Sequence, residues 1–123
     1  MTKILFADDN ENTLNLMGQV AKLLGYQAVL AKNGKEALAL IRQDQPNLIF
    51  LDLLLPDLDG ISLLRKIKED NEIRDIPVVI LSAGATLDDA TLCRDNGAVE
   101  YILKPVPIQV LQDTIQKYSL VSE

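Results

Sequence analysis

The amino-acid sequence predicts an α/β domain, a doubly wound parallel sheet with helices on both faces. Three observations predict it. Five short apolar runs recur along the chain, each run is continuous rather than alternating, and segments with helical spacing separate them. Continuous apolarity marks strands covered on both sides, as in parallel sheets. Parallel neighbours need a crossover, which helices provide.

The first run is Ile4-Leu5-Phe6-Ala7, and the helix after it places Leu14, Met17, Ala21 and Leu24 on one face, with Gly25 free to take a left-handed cap. The second run, Ala28-Val29-Leu30-Ala31, leads to a helix that begins near Gly34, carries Ala37, Leu38 and Ile41, and is kept from extending by Pro46. Leu48-Ile49-Phe50-Leu51 is the third run. Its helix starts near Asp59-Gly60 with Ile61, Leu64 and Ile67 inward. The fourth run, Val78-Val79-Ile80-Leu81, precedes a helix from about Thr86 to Asp95 that stops before Asn96-Gly97. The fifth, Val99-Glu100-Tyr101-Ile102-Leu103, precedes a helix that opens around Pro107, a residue tolerated in the first turn, with Ile108, Leu111, Ile115 and Tyr118 on one stripe. Ser119 to Glu123 are expected to fray.

The 123 residues fit a single domain spanning 1–123, and no repeat, linker or low-complexity tract divides them. Hydrophobic residues make up 48% of the chain and charges are interspersed, which argues for a packed core and against disorder. A net charge of −6 argues against sequence-independent nucleic-acid binding, which needs Lys and Arg to neutralise phosphates, so no direct nucleic-acid contact is expected. There is no histidine, so Ser-His-Asp and Cys-His catalysis, His-containing zinc sites and a phosphohistidine role are ruled out. The lone Cys93 forms no disulfide within the chain and has no histidine to activate it, which fits a reducing compartment. The apolar start is too short for a signal peptide before Asp8 and Asp9, and no run approaches membrane-spanning length, so a cytoplasmic protein without membrane contact is expected.

In open α/β sheets ligands bind beyond the carboxyl ends of the strands, where strand order reverses. The residues at those ends are Asp8 and Asp9, Asp52, Ser82 and Lys104, so three acids, one hydroxyl and one lysine should converge on one edge. Two like charges ~4 Å apart repel by about 4 kcal/mol at an effective dielectric of about 20. Compensation comes from a raised pKa or from a bound cation. All-oxygen ligands suit Mg²⁺ with a phosphate oxygen. Lys104 would supply a point charge to a phosphoryl group and Ser82 a hydroxyl. Singly, each feature has a plainer meaning: Asp8 and Asp9 could cap the following helix, and Lys104-Pro105 could be a turn. Asp52 is harder to explain away, because an acid closing a buried strand is costly unless paired.

These residues resemble the receiver domains of two-component response regulators, including single-domain chemotaxis-type regulators. The matching segments run from Lys3 to about Tyr118: Ala7-Asp8-Asp9-Asn10, Leu51-Asp52-Leu53-Leu54-Leu55-Pro56-Asp57-Leu58-Asp59-Gly60, Leu81-Ser82-Ala83, Gly97-Ala98 and Tyr101-Ile102-Leu103-Lys104-Pro105. The resemblance implies a flavodoxin-like five-stranded sheet of order 2-1-3-4-5 with five helices. It implies Asp52 as the phosphoacceptor, Asp9 and Asp52 as direct Mg²⁺ ligands with the Leu54 carbonyl, and Asp8 acting through a metal-bound water. It also implies Ser82 and Lys104 on the phosphoryl oxygens, a cis bond before Pro105, and Tyr101 as an aromatic switch that turns inward with Ser82. The donor would be a phosphohistidine on a sensor histidine kinase or a phosphotransfer protein. The output would pass to a downstream protein target or an output domain through the face of the fourth helix, fifth strand and fifth helix.

Three positions depart from common family usage: Leu54 and Gly84 carry no group that could orient an attacking water, and Val106 replaces a common aromatic. Slow self-dephosphorylation is expected from the first two. Two other functions compete. An aspartate-nucleophile phosphatase of the haloacid-dehalogenase type would need an acid where Leu54 stands, and a cap domain. A phosphorylation-independent scaffold with a receiver fold would usually have lost an acid or the lysine. The expectation is therefore a switch that catalyses its own phosphorylation and dephosphorylation, not a turnover enzyme.

Overall fold

The computed structural model of the chain describes residues 2–84 and 87–119, without the side chains of Leu87 and Ser119. Strands and helices alternate: β1 (Lys3–Ala7), α1 (Glu11–Leu23), β2 (Gln27–Ala31), α2 (Gly34–Asp44), β3 (Leu48–Asp52), α3 (Gly60–Glu69), β4 (Val78–Ser82), α4 (Leu87–Asp95), β5 (Glu100–Leu103) and α5 (Ile108–Ser119). The sheet order is β2-β1-β3-β4-β5 and all four pairings are parallel, the flavodoxin-like arrangement.

The continuous apolar runs have a direct explanation. Successive side chains of a strand point to opposite faces, and here both faces are covered. Ile4, Phe6, Leu48, Phe50, Val79 and Leu81 pack with Leu14, Met17, Leu111 and Ile115 of α1 and α5. Leu5, Ala7, Ile49, Leu51, Val78 and Ile80 pack with Ala37, Ile41, Leu64, Ile67 and Cys93 of α2, α3 and α4. Phe6 and Phe50 stack with centroids 5.2 Å apart, joining β1 to β3. Burying one such side chain stabilises the fold by about 2 kcal/mol. The edge strands β2 and β5 are only partly covered, so the two-sided burial expected for all five runs holds fully for the central three.

Helix ends follow local chemistry. Gly25 and Gly97 take positive φ after α1 and α4, where a Cβ would be strained. Gln45 adopts the left-handed conformation at the end of α2, ahead of Pro46. Two helix faces differ from expectation. Leu63, not Ile61, joins Leu64 and Ile67 in the buried face of α3, and Ile61 is half-buried. Ile108 is 57% exposed, on the rim of a groove shared with α1, and the stripe of α5 enters the core only at Leu111 and Ile115. Tyr118 is half-buried, and its hydroxyl donates to the Glu100 carboxylate. The expected helix start at Thr86 and the expected fraying of residues 120–123 lie outside the described residues. No described helix is long and apolar enough to cross a membrane.

Candidate functional site

β1 has β2 on one side and β3 on the other, so strand order reverses at its carboxyl end. There the hydrogen-bond ladder runs slightly past the strands and fixes the residues that follow. The Asp8 amide donates to the Ala31 carbonyl (3.1 Å), the Leu53 amide to the Leu81 carbonyl (2.9 Å) and the Lys104 amide to the Ser82 carbonyl (2.8 Å). Asp52 and Ser82 are the last residues of β3 and β4, and both are buried.

Asp8, Asp9 and Asp52 each place one carboxylate oxygen within 4.8 Å of the other two. Asp8 is fully buried and Asp9 is exposed. Helix capping does not account for this pair: the α1 cap is Asn10, whose side chain accepts from the Thr13 amide at 3.0 Å. Asp8 instead accepts from the Asn10 amide at 2.9 Å and aims its other oxygen at Lys104. The Lys104 ammonium donates to both Asp8 and Asp52, with the second contact at 3.2 Å. The Lys104-Pro105 bond is cis, as expected.

One lysine thus faces three acids. Burial pushes the Asp52 carboxyl above its ordinary value, and the charge of Asp8 adds to this, against the Leu54 amide and Lys104, which pull it down. Burial works against the Lys104 ammonium, but its hydrogen bonds and charge contacts with Asp8 and Asp52 outweigh that and raise its pKa. The cluster is short of positive charge. Hard carboxylate oxygens converging from three residues are the donor set that Mg²⁺ takes, so the residues fit the cation.

The segment after Asp52 is held against the start of α3. The Gly60 amide donates to the Leu53 carbonyl at 2.7 Å, and a Cβ on Gly60 would stand 2.8 Å from Leu53 Cα and 3.0 Å from the Asp52 carbonyl oxygen. Only glycine lets the helix approach the acid so closely. Asp59 caps the same helix through the Ser62 amide. The Leu54 amide donates to Asp52 at 3.2 Å, and its side chain points into solvent, 71% exposed. Among the described residues, its chain neighbours aside, no atom lies within 4 Å of where a Gly84 side chain would begin. Tyr101 stands apart from the acids, opposite Ile80 in register. Its ring packs on the α2–α4 side, and its buried hydroxyl has no hydrogen-bond partner among the described residues.

Sequence reasoning thus found every member of the acid–lysine cluster. It missed the clamp on the acceptor loop, for which the Asp57-Leu58-Asp59-Gly60 motif was visible without its physical reason. It also missed an apolar groove of about 460 Å³ beside Lys104, bordered by Leu16, Met17, Val20, Pro105 and Ile108.

The sequence model of the response regulator receiver domain matches residues 4–116. The polar-differentiation response regulator DivK of Brucella anthropi is 34% identical over 115 residues, covering 94% of each chain. Among solved structures, the receiver domain of Francisella response regulator 1452 superposes with a TM-score of 0.92 at 29% identity, covering 100% of both chains. A CheY-like receiver domain protein of Methanospirillum hungatei gives 0.92 at 28% identity, over 99% of this chain and 96% of its own.

Proposed function

The chain belongs to the response regulator receiver domain family, and from that premise we propose that Asp52 is its phosphoacceptor, working with Asp8, Asp9, Ser82 and Lys104. The observation that carries this reading is the cluster itself: three carboxylates, each with one oxygen within 4.8 Å of the other two, against a single lysine that pairs with Asp8 and Asp52. Such crowding costs stability unless a cation is shared, and a Mg²⁺-assisted phosphoryl transfer would make use of it.

Asp52 closes a buried strand, so its carboxylate is fixed rather than free to swing. One oxygen attacks the phosphorus of a phosphohistidine as the phosphorus–nitrogen bond breaks. The electron pair leaves with the imidazole, which solvent protonates. Asp9, Asp52 and the Leu54 carbonyl would hold Mg²⁺ directly, with Asp8 acting through a bound water, and the ion would neutralise charge on the transferred group. Lys104, now 3.2 Å from Asp52, is within reach of an oxygen on the new phosphoryl group. Ser82 would donate its hydroxyl to another. Tyr101 would follow Ser82, exchanging its present buried hydroxyl position for one set by the activated loop, and so carry the signal to the face of α4, β5 and α5. Leu92, Val99 and Leu103 already expose apolar surface there for a downstream target or output domain.

The donor is a sensor histidine kinase or a phosphotransfer protein, and the groove beside Lys104 offers it apolar area at the mouth of the site. Cys93 is fully buried and burial raises its thiol pKa, so it plays no part in the chemistry and fits a cytoplasmic setting. The exposed Leu54 side chain and the bare Gly84 offer no group to orient water, which supports slow self-dephosphorylation.

Acetyl phosphate with Mg²⁺, read by intact mass, tests the reading. Wild type should gain one phosphoryl mass that outlasts minutes, and Asp52→Asn should gain none. A wild type that stays unmodified overturns the assignment. Decay within seconds overturns the slow hydrolysis.

A further inference from the structure

The acceptor loop is anchored at a second point, on a helix that contributes nothing to the acid cluster. The Asp57 carboxylate accepts the Gly34 amide at 2.7 Å on one oxygen and the Lys35 amide at 3.0 Å on the other. These are the first two amides of α2, and the third, Glu36, is taken by the side chain of Asn33 (2.8 Å). The first turn of α2 is therefore satisfied jointly by its own cap and by a carboxylate 23 residues away. The contact is close as well as polar: a Cβ on Gly34 would fall 2.7 Å from Leu58 Cβ and 3.2 Å from the Asp57 oxygen. Those two amides hold the Asp57 carboxyl below the ordinary range.

Asp52 to Gly60 is thus a loop tied at both ends. The near arm is tied by Leu53 to Gly60, and the far arm by Asp57 to α2. Leu54 lies between, next to Leu55, which is buried. A short segment fixed on both sides has little freedom to rotate the intervening peptide.

We propose that Asp57 is a positioning residue for the cation site: by clamping the loop onto the first turn of α2, it sets the Leu54 carbonyl toward Asp8, Asp9 and Asp52. This rests on the receiver-domain assignment. It extends the working site to Asp57, Gly34 and Lys35, none of which touches the reacting atoms.

The probe is Mg²⁺ alone, titrated into the full chain and read by amide chemical shifts. Asp57→Ala should weaken Mg²⁺ binding about tenfold, the scale on which outer partners act on metal ligands. Asp57→Asn, which keeps one accepting oxygen, should weaken it clearly less than Asp57→Ala does. Asn33→Ala removes the other cap of the same turn and leaves the loop clamped, so it should cost stability while Mg²⁺ affinity stays within about twofold of wild type. In acetyl phosphate labelling, Asp57→Ala should raise the Mg²⁺ concentration needed for half the maximal rate and leave the rate at saturating Mg²⁺ nearly unchanged. Equal losses in Asp57→Ala and Asn33→Ala would reduce the contact to a helix cap and overturn the proposal. So would equal losses in Asp57→Ala and Asp57→Asn, since charge alone would then explain both. A wild type that binds no Mg²⁺ overturns the cation reading and this one with it, whereas normal wild-type binding with an unmoved Asp57→Ala overturns the clamp alone.

Discussion

At the amino-terminal rim of the sheet, Asn47 accepts the Lys3 amide and donates its own amide to the Lys3 carbonyl, both at 2.8 Å. Nearby, the Lys68 ammonium donates to the carbonyls of Arg74 (2.9 Å) and Ile76 (3.0 Å). Burial lowers the pKa of Lys68, yet its protons are placed on neutral oxygens that need them. At the carboxyl rim, three acids crowd one lysine. The same backbone thus ends in a rim whose polar groups match their partners and in one that carries a charge surplus. The difference teaches where this fold trades stability for reactivity.

Four variants test that contrast, in order of expected size. Lys104→Met should be the most damaging, costing about 3 kcal/mol in urea unfolding without divalent ions, because it leaves buried Asp8 and Asp52 uncompensated. Mg²⁺ should return part of that loss. A cost below about 1 kcal/mol would mean that the acids do not depend on the lysine. Gly60→Ala should cost about 2 kcal/mol, since its Cβ would meet backbone atoms and not the end of a flexible side chain; denaturation at fixed pH reads it. On the matched rim, Lys68→Met should cost only about 1 kcal/mol and show no response to Mg²⁺. A Mg²⁺ response there would erase the contrast between the rims.

The smallest effect carries a sign. Burial raises the pKa of Asp52, so the folded chain holds that proton more tightly than the unfolded chain does. Stability without divalent ions should therefore be greater where Asp52 is protonated, and should fall as pH rises from the ordinary carboxylate range through its raised folded value. Asp52→Asn should lack that fall and be about 1 kcal/mol more stable than wild type at neutral pH. Unfolding free energies across pH in EDTA check it, and a wild type more stable than Asp52→Asn at neutral pH would contradict it.

Much of this was legible in the chain because the strands are covered on both faces. A continuous apolar run announces its own end, so the acid or lysine that follows is placed at the rim before any coordinates are known. Asp8-Asp9-Asn10 was less legible: all three residues can cap a helix, and only the fold shows that Asn10 does so and leaves both acids to the site. Ile61 and Leu63 are both apolar, and tertiary packing alone decides which of them faces the sheet. Ile108 fits the α5 stripe by spacing, but spacing does not reveal that its position on the stripe borders an open groove and stays exposed. The clamp from Asp57 to α2 joins residues that no local pattern relates, so nothing in the sequence could announce it.

The central claim is that the crowded acids share a divalent cation and that Asp52 is part of what holds it. The direct measurement is the unfolding free energy of wild type and Asp52→Asn as Mg²⁺ is raised. A ligand at a hundredfold its dissociation constant should add about 2.7 kcal/mol. Wild type should gain on that scale, and Asp52→Asn, starting more stable, should gain much less. Equal gains in the two proteins, or none in wild type, would contradict the account.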